Sequence, residues 1–328
     1  MSTKTVKRLA AALASLLVVC AHSSAQQSSD EVLRVDTSLV VVPVRVVDSH
    51  GRFVSDLKKS NFRVFEDQAE QEIAHFETDN APFTVALILD VSESTSYKLK
   101  QIQEAAITFL NQLRPGDKAI VFTFDANLVK IYEGQTKDLE NLRTSIRLTH
   151  SGQGTSLYDT VDQIVDNYLN KVNQRKKAII LFTDGVDTSS RTSTYEKSLR
   201  GAQESNALIY SIQYDTLTDD RQNASFGANV NIVTPSGEPL SVAYKRATMY
   251  LKFLAANSGG RFYLADNIDN LARTFAQIAA ELSEQYSLSY YPRNEIADGK
   301  KRHIKIQIDV PGAKVVTRKT YTLRSSHP

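Results

Sequence analysis

The chain reads as an α/β protein with a doubly wound, mostly parallel sheet, flanked by a β-sandwich built from its amino- and carboxyl-terminal segments. Three observations predict this. Two apolar runs, Phe83–Leu89 and Ala178–Phe182, show no polar alternation, and each is followed within two residues by a carboxylate, Asp90 or Asp184. Strands buried on both faces between helices have this pattern. Apolar residues then recur at steps of three and four, at Leu99, Ile102, Ala106, Phe109 and Leu113 and again at Leu157, Val161, Ile164, Tyr168 and Val172, as helices with one buried face require. Outside residues 81–284 the pattern changes to alternation, the mark of strands with one face in a core and one in solvent.

Taken in order, Met1–Ala25 carries Lys4, Lys7 and Arg8, an apolar stretch from Leu9 to Cys20, and then Ser23-Ser24-Ala25. The stretch is too short to span a bilayer, and the small residues suit a signal peptidase, so an export signal is expected. The protein should then be periplasmic, extracellular or on the cell surface, with no membrane insertion after cleavage. Val19 is not the small residue that lipoprotein processing needs before Cys20. Cleavage after Ala25 removes the single cysteine, so the exported chain needs neither disulfide nor thiol. Losing three cations leaves 36 basic against 37 acidic residues, and no basic stripe points to nucleic acid.

The 26–80 segment is all β: Leu39–Val47, a turn at Asp48-Ser49-His50-Gly51, a short extended piece at Phe53-Val54, and Phe62–Asp67. These are too few strands to close a sandwich. The 285–328 segment supplies candidates for the rest. Tyr286–Tyr291 alternates, Ile304, Ile306, Ile308 and Val310 alternate with polar residues, and Pro311-Gly312 turns the chain into a last strand, Val315–Tyr321. The two flanks are expected to form one sandwich with 81–284 inserted into it. Tyr286, Tyr290 and Tyr291 then belong to a sheet face.

Within 81–284 the first helix closes at Pro115-Gly116, Lys118–Phe124 is the second strand, and Leu128–Tyr132 is its antiparallel edge partner. Leu208–Ile212 and Gly260–Leu264 are further strands, and Leu271, Phe275, Ile278 and Leu282 mark a final helix. Right-handed crossovers bring the carboxyl ends of the parallel strands to one edge, where such sheets bind ligands. Thr216–Tyr244 breaks the rhythm. Val230–Val233 and Leu240–Val242 around Pro235-Ser236-Gly237 predict a small hairpin on a long loop, either mobile or concerned with partner specificity.

At the binding edge, Asp90-Val91-Ser92-Glu93-Ser94 puts a carboxylate and two hydroxyls at alternate positions. Hard oxygen donors with few carboxylates suit Mg²⁺ or Mn²⁺. Taken alone, the triplet is equally ordinary helix-capping chemistry. Two further stretches separate the readings: Gly152-Gln153-Gly154-Thr155-Ser156, a glycine-flanked hydroxyl opening a helix, and Thr183-Asp184-Gly185 after the second buried run.

These three motifs, in this order, resemble the metal-ion-dependent adhesion site of von Willebrand factor A-type domains, over roughly Ala81–Glu284. The resemblance implies a Rossmann-like domain in which Ser92 and Ser94 bind the metal directly and Thr155 does so directly or through water. Asp90 and Asp184 would hold metal-bound waters, and one open coordination position would take an Asp or Glu side chain from a protein partner. Mg²⁺ is the expected cation, with Mn²⁺ and Ca²⁺ also compatible. Secreted bacterial proteins related to this family look similar in both flanks, including Phe62-Arg63-Val64-Phe65-Glu66-Asp67. Glu93 stands where many members have Gly, and either repels the incoming carboxylate or points to solvent. Thr155 is expected on an exposed rim.

Enzyme readings fare less well. A phosphoryl-transfer enzyme of the haloacid dehalogenase type usually has a second Asp where Ser92 stands, and Ser92 cannot act as an acid/base near neutral pH. No Gly-x-Ser-x-Gly elbow supports a serine hydrolase. The six histidines show no helical pairing and no zinc-like spacing. The expected function is therefore non-catalytic: adhesion or protein binding through a divalent cation. A structural module with a vestigial metal site and a metal-dependent hydrolase or phosphatase are the alternatives.

Overall fold

The computed structural model describes residues 39–135, 139–172, 176–214, 233–265, 268–294, 296 and 298–324. The leader expected at Met1–Ala25 lies outside them, as does most of the Thr216–Tyr244 excursion. In order, the elements are β1 (Val40–Val47), β2 (Phe62–Glu66), β3 (Ala69–Gln71), β4 (His75–Glu77), β5 (Thr84–Asp90), α1 (Leu99–Leu110), β6 (Lys118–Phe124) and β7 (Leu128–Gln135). Then follow α2 (Leu139–Arg147), α3 (Leu157–Asn167), β8 (Lys177–Thr183), α4 (Tyr195–Glu204), β9 (Leu208–Tyr214), α5 (Leu240–Ser258), β10 (Phe262–Ala265) and α6 (Ile268–Ser283). The chain closes with β11 (Tyr286–Tyr290), β12 (Asp298–Ile308), β13 (Lys314–Thr317) and β14 (Thr320–Arg324).

The central sheet has six strands in the order β10-β9-β8-β5-β6-β7. Every pair is parallel except the antiparallel β6–β7 edge. All seven residues of β5 are buried because alternate side chains enter two cores. Val85, Leu87 and Leu89 meet α1 and α6 on one face, while Ala86 and Ile88 meet α3, α4 and α5 on the other. Each fully buried Val or Leu contributes about 1.5–3 kcal/mol, which is why an uninterrupted apolar run suits a strand covered by helices on both faces.

The flanking strands form two antiparallel four-stranded sheets, β13-β1-β11-β4 and β14-β12-β2-β3. Alternate residues of both, among them Val42, Val44, Val64, Leu288, Ile304 and Ile306, share one core. Tyr286 and Tyr290 lie in it fully buried, and Tyr291 is exposed. Neither sheet is local in sequence. β11 sits between β1 and β4, and β12 sits between β2 and β14.

The structure corrects several expectations. The single last strand, Val315–Tyr321, is two strands in different sheets: β13 pairs with β1 and β14 with β12. Between them Arg318 is buried, donating to the Val41 carbonyl at 2.7 Å and to Asn206 Oδ1 at 2.8 Å. The corner forms because this cation finds backbone and amide acceptors where the sandwich meets α4. Leu240–Val242 is not a hairpin strand but the first turn of α5. Three residues cannot distinguish the two periods, whereas Ala243, Ala247, Tyr250, Leu251 and Leu254, all buried, carry the helical one. Val233 and Pro239 do form an antiparallel bridge around the Pro235-Ser236-Gly237 turn. Helices α2 and α4 also escaped the periodicity reading. Each buries only two residues, so the apolar stripe is too thin to register. A 3₁₀ turn, Glu93–Lys98, stands between the Asp90 motif and α1.

Candidate metal centre

Parallel pairing of β5 with β8 in the register Leu89↔Phe182 brings Asp90 level with Thr183 and next to Asp184. Both chains leave the sheet here, at its carboxyl edge. Asp90 is 0% exposed and Asp184 2%. Asp90 Oδ1 accepts the Ser92 amide at 3.0 Å, and Oδ2 accepts the Thr183 hydroxyl at 2.5 Å. The Ser92 and Ser94 hydroxyls hydrogen-bond at 3.1 Å, and Ser94 Oγ donates to Asp184 Oδ2 at 2.9 Å. Asp184 Oδ1 accepts the Val186 amide at 3.0 Å. The serine oxygens keep lone pairs after these donations, as ligands for a cation must.

Thr155 reaches the same edge by backbone contacts. Gly152 N donates to the Val91 carbonyl at 2.9 Å, Thr155 N donates to Thr188 Oγ1 at 2.9 Å, and the Thr155 carbonyl accepts Thr188 N and Ser189 N. Gly154 takes φ +71°, and a Cβ there would meet Ser189 Oγ at 2.3 Å. Contrary to expectation Thr155 is buried, 4% exposed, because the 188–189 turn closes over its loop. Ser94 is half-buried, so it is in part open to solvent. Glu93 is exposed.

Burial pushes the Asp90 carboxyl up to about 7, and the neighbouring Asp184 charge pushes the same way against the hydrogen bonds from Ser92 and Thr183. Among the described residues no three His, Cys, Asp or Glu side chains are placed to hold a metal on their own. A cation here would draw on hydroxyls, and an all-oxygen set of serines and carboxylates fits Mg²⁺, Mn²⁺ or Ca²⁺.

Some residues around the centre were not picked out by their motifs. Thr183 orients Asp90, and the Thr95 hydroxyl donates to the Ser92 carbonyl at 2.7 Å. Gln213 Nε2 donates to the Asp184 carbonyl at 2.8 Å, and Tyr244 Oη approaches Asp184 Oδ2 at 3.5 Å. Thr183 lies within the third motif and Thr95 adjoins the first, so both could have been suspected. Gln213 and Tyr244 come from distant strand and helix positions with no local signal.

Residues 85–186 match the family model described as the von Willebrand factor type A domain, a stretch that includes Asp90, Ser92, Ser94, Thr155 and Asp184. Among solved structures the chain is similar to the vWF domain of the type V pili tip protein Mfa5 from Porphyromonas gingivalis, at 16% identity over 61% of this chain and 94% of that one, with a TM-score of 0.46. It is similar to a von Willebrand factor type A protein from Catenulispora acidiphila at 12% identity, over 88% and 75% of the two chains, with a TM-score of 0.47. The pilus adhesin SpaC from Lactobacillus rhamnosus GG, in its open conformation, matches at 9% identity over 86% of this chain and 47% of that one, with a TM-score of 0.48. No described helix is long and apolar enough to cross a membrane.

Proposed function

With a von Willebrand factor A-type domain over residues 85–186, we propose that the chain is an exported, non-catalytic protein-binding module that grips an acidic side chain of a protein partner through a divalent cation. The observation that carries this reading is the Asp90–Ser92–Ser94–Asp184 cluster, in which a fully buried carboxylate faces hydroxyl oxygens and a second carboxylate. Ser92 and Ser94 would hold Mg²⁺ or Mn²⁺ directly, Asp90 and Asp184 would hold its waters, and Thr155 would complete the set. The bound cation supplies positive charge at an open position, which favours an Asp or Glu from the partner. Exchanging hydroxyl for carboxylate ligands would neutralise that charge. The half-buried Ser94 leaves the centre approachable from its side.

Capture from envelope extract, with Mg²⁺ and then with EDTA, tests the proposal. A partner should be retained with Mg²⁺ and released by EDTA, and Thr155→Ala should weaken retention at least tenfold. Retention that survives EDTA, or a Thr155→Ala variant that binds as wild type, would reject metal-mediated recognition.

A further inference from the structure

Helix α5 touches the Asp184 arm of the centre at three points, through helix residues that belong to none of the three sequence motifs. Thr248 Oγ1 donates to Gln213 Oε1 at 2.9 Å, and Gln213 Nε2 donates to the Asp184 carbonyl at 2.8 Å. The Asp184 carbonyl, which can only accept, selects the amide nitrogen, and the Thr248 hydroxyl, shared with the Tyr244 carbonyl at 2.9 Å, holds the other end of the amide. Gln213 is 2% exposed, so water does not compete for this relay. One turn earlier, Tyr244 Oη approaches the Asp184 carboxylate itself, and the ring is buried against Val186 with Ala243 and Ala247. Between the two, Gly185 has φ +86°, and a Cβ there would meet Leu251 Cδ1 at 2.9 Å and Ala247 Cβ at 3.0 Å. The helix is seated directly on the Asp184-Gly185 backbone.

The opposite side of α5 reaches the other arm. Arg246 pairs with Glu238 in the turn that precedes the helix and lies beside the Tyr158 hydroxyl, three residues after Thr155. The Tyr158 amide in turn donates to Asp187 Oδ2 at 3.0 Å. One helix therefore spans Asp184 and the segment that carries Thr155.

We propose that Tyr244 and Thr248 are positioning residues for the metal, acting through Asp184, and that α5 is the element whose order changes with metal occupancy. This rests on the metal reading above. Residues that orient groups around a metal commonly set its affinity by roughly 10–100-fold. Linkage makes the effect reciprocal: if α5 holds Asp184 for the metal, the metal must steady α5. Through Glu238 the same helix connects to the 233–239 turn, so metal occupancy would also be felt at the described end of the long excursion.

The experiment is a Mn²⁺ titration of the full chain by calorimetry, with hydrogen exchange of residues 243–251 followed with and without Mn²⁺. Thr248→Val and Tyr244→Phe should each weaken Mn²⁺ binding about tenfold or more. Thr248→Ser, which restores the hydroxyl, should bind as wild type, and so should Lys245→Ala on the exposed face. Mn²⁺ should slow exchange of 243–251 in wild type and not in Thr248→Val. A purely structural role predicts lower melting temperatures with unchanged Mn²⁺ affinity, and that result would overturn the proposal while leaving the metal centre standing. Wild-type protein that binds no Mn²⁺ at all would reject the metal centre and this proposal with it.

Discussion

Glu66 in the sandwich and Asp90 at the edge of the central sheet are both inside the protein, 4% and 0% exposed. Their surroundings differ in kind. Glu66 Oε1 accepts Arg302 Nη1 at 2.9 Å, and Oε2 accepts the hydroxyls of Tyr290 and Tyr321. Arg302 also donates to the carbonyls of Asn294 and Ile296. Charge and hydrogen bonds are both satisfied within the fold, so nothing further is required of this site. The described groups acting on Asp90 are hydroxyls, an amide and a second carboxylate, and its carboxyl is pushed up towards neutrality by burial and by Asp184. A buried ion is tolerated only when it is matched. The sandwich supplies its own match, whereas for Asp90 the match is the cation we propose above.

The comparison can be broken most forcefully at Glu66. Glu66→Ala strands Arg302 in the core and should cost about 3–5 kcal/mol in urea denaturation, by the same amount in EDTA and in Mg²⁺. A loss that shrinks when Mg²⁺ is added would tie the sandwich network to the metal and erase the contrast. At the other site, wild type held at a hundred times the Kd for Mg²⁺ should gain about 2.7 kcal/mol, and Asp90→Ala should gain nothing. Equal melting temperatures for the two proteins across a Mg²⁺ titration would show that Asp90 is matched by something other than a metal.

The comparison can also be sharpened through pH. The Asp90 pKa in the metal-free fold, about 7, lies above the ordinary unfolded value near 4. The folded form therefore keeps a proton that the unfolded chain gives up between these values. Its stabilising effect is complete below about pH 4, is lost as pH rises towards 7, and is absent above that. Relative to Asp90→Asn, which cannot ionise, wild type in EDTA should lose stability progressively across this window. Saturating Mg²⁺ should flatten the difference. A parallel pair of stability curves in EDTA would remove the basis for treating Asp90 as an unmatched charge.

Much of the molecule was legible locally. Uninterrupted apolar runs at Phe83–Leu89 and Ala178–Phe182 announced strands buried on both faces, and alternation at Ile304, Ile306 and Ile308 announced one-sided ones. Asp90, Ser92, Ser94, Thr155 and Asp184 stood out because each follows a strand or opens a helix, and the parallel topology then puts such ends on one edge. Thin helices such as α2 and α4 were not legible, since two buried residues make no stripe. Nor was α5, whose start was hidden inside a polar excursion.

By itself, then, the sequence determined which stretches are buried on one face or two and which oxygen-bearing residues lie at strand ends, because both follow from periods of two and three to four residues. Only the tertiary structure decided the partners. Arg302 meets Glu66 across 236 positions, Ser94 meets Asp184 across 90, and Tyr244 meets Asp184 across 60. It also decided that Thr155 is covered by the 188–189 turn, and that the last strand breaks at Arg318 into two sheets. Local periodicity records how a side chain relates to its own element. Whether a buried carboxylate meets an arginine, a tyrosine or another carboxylate depends on which distant elements the packing brings against it, and that information is spread over the whole chain.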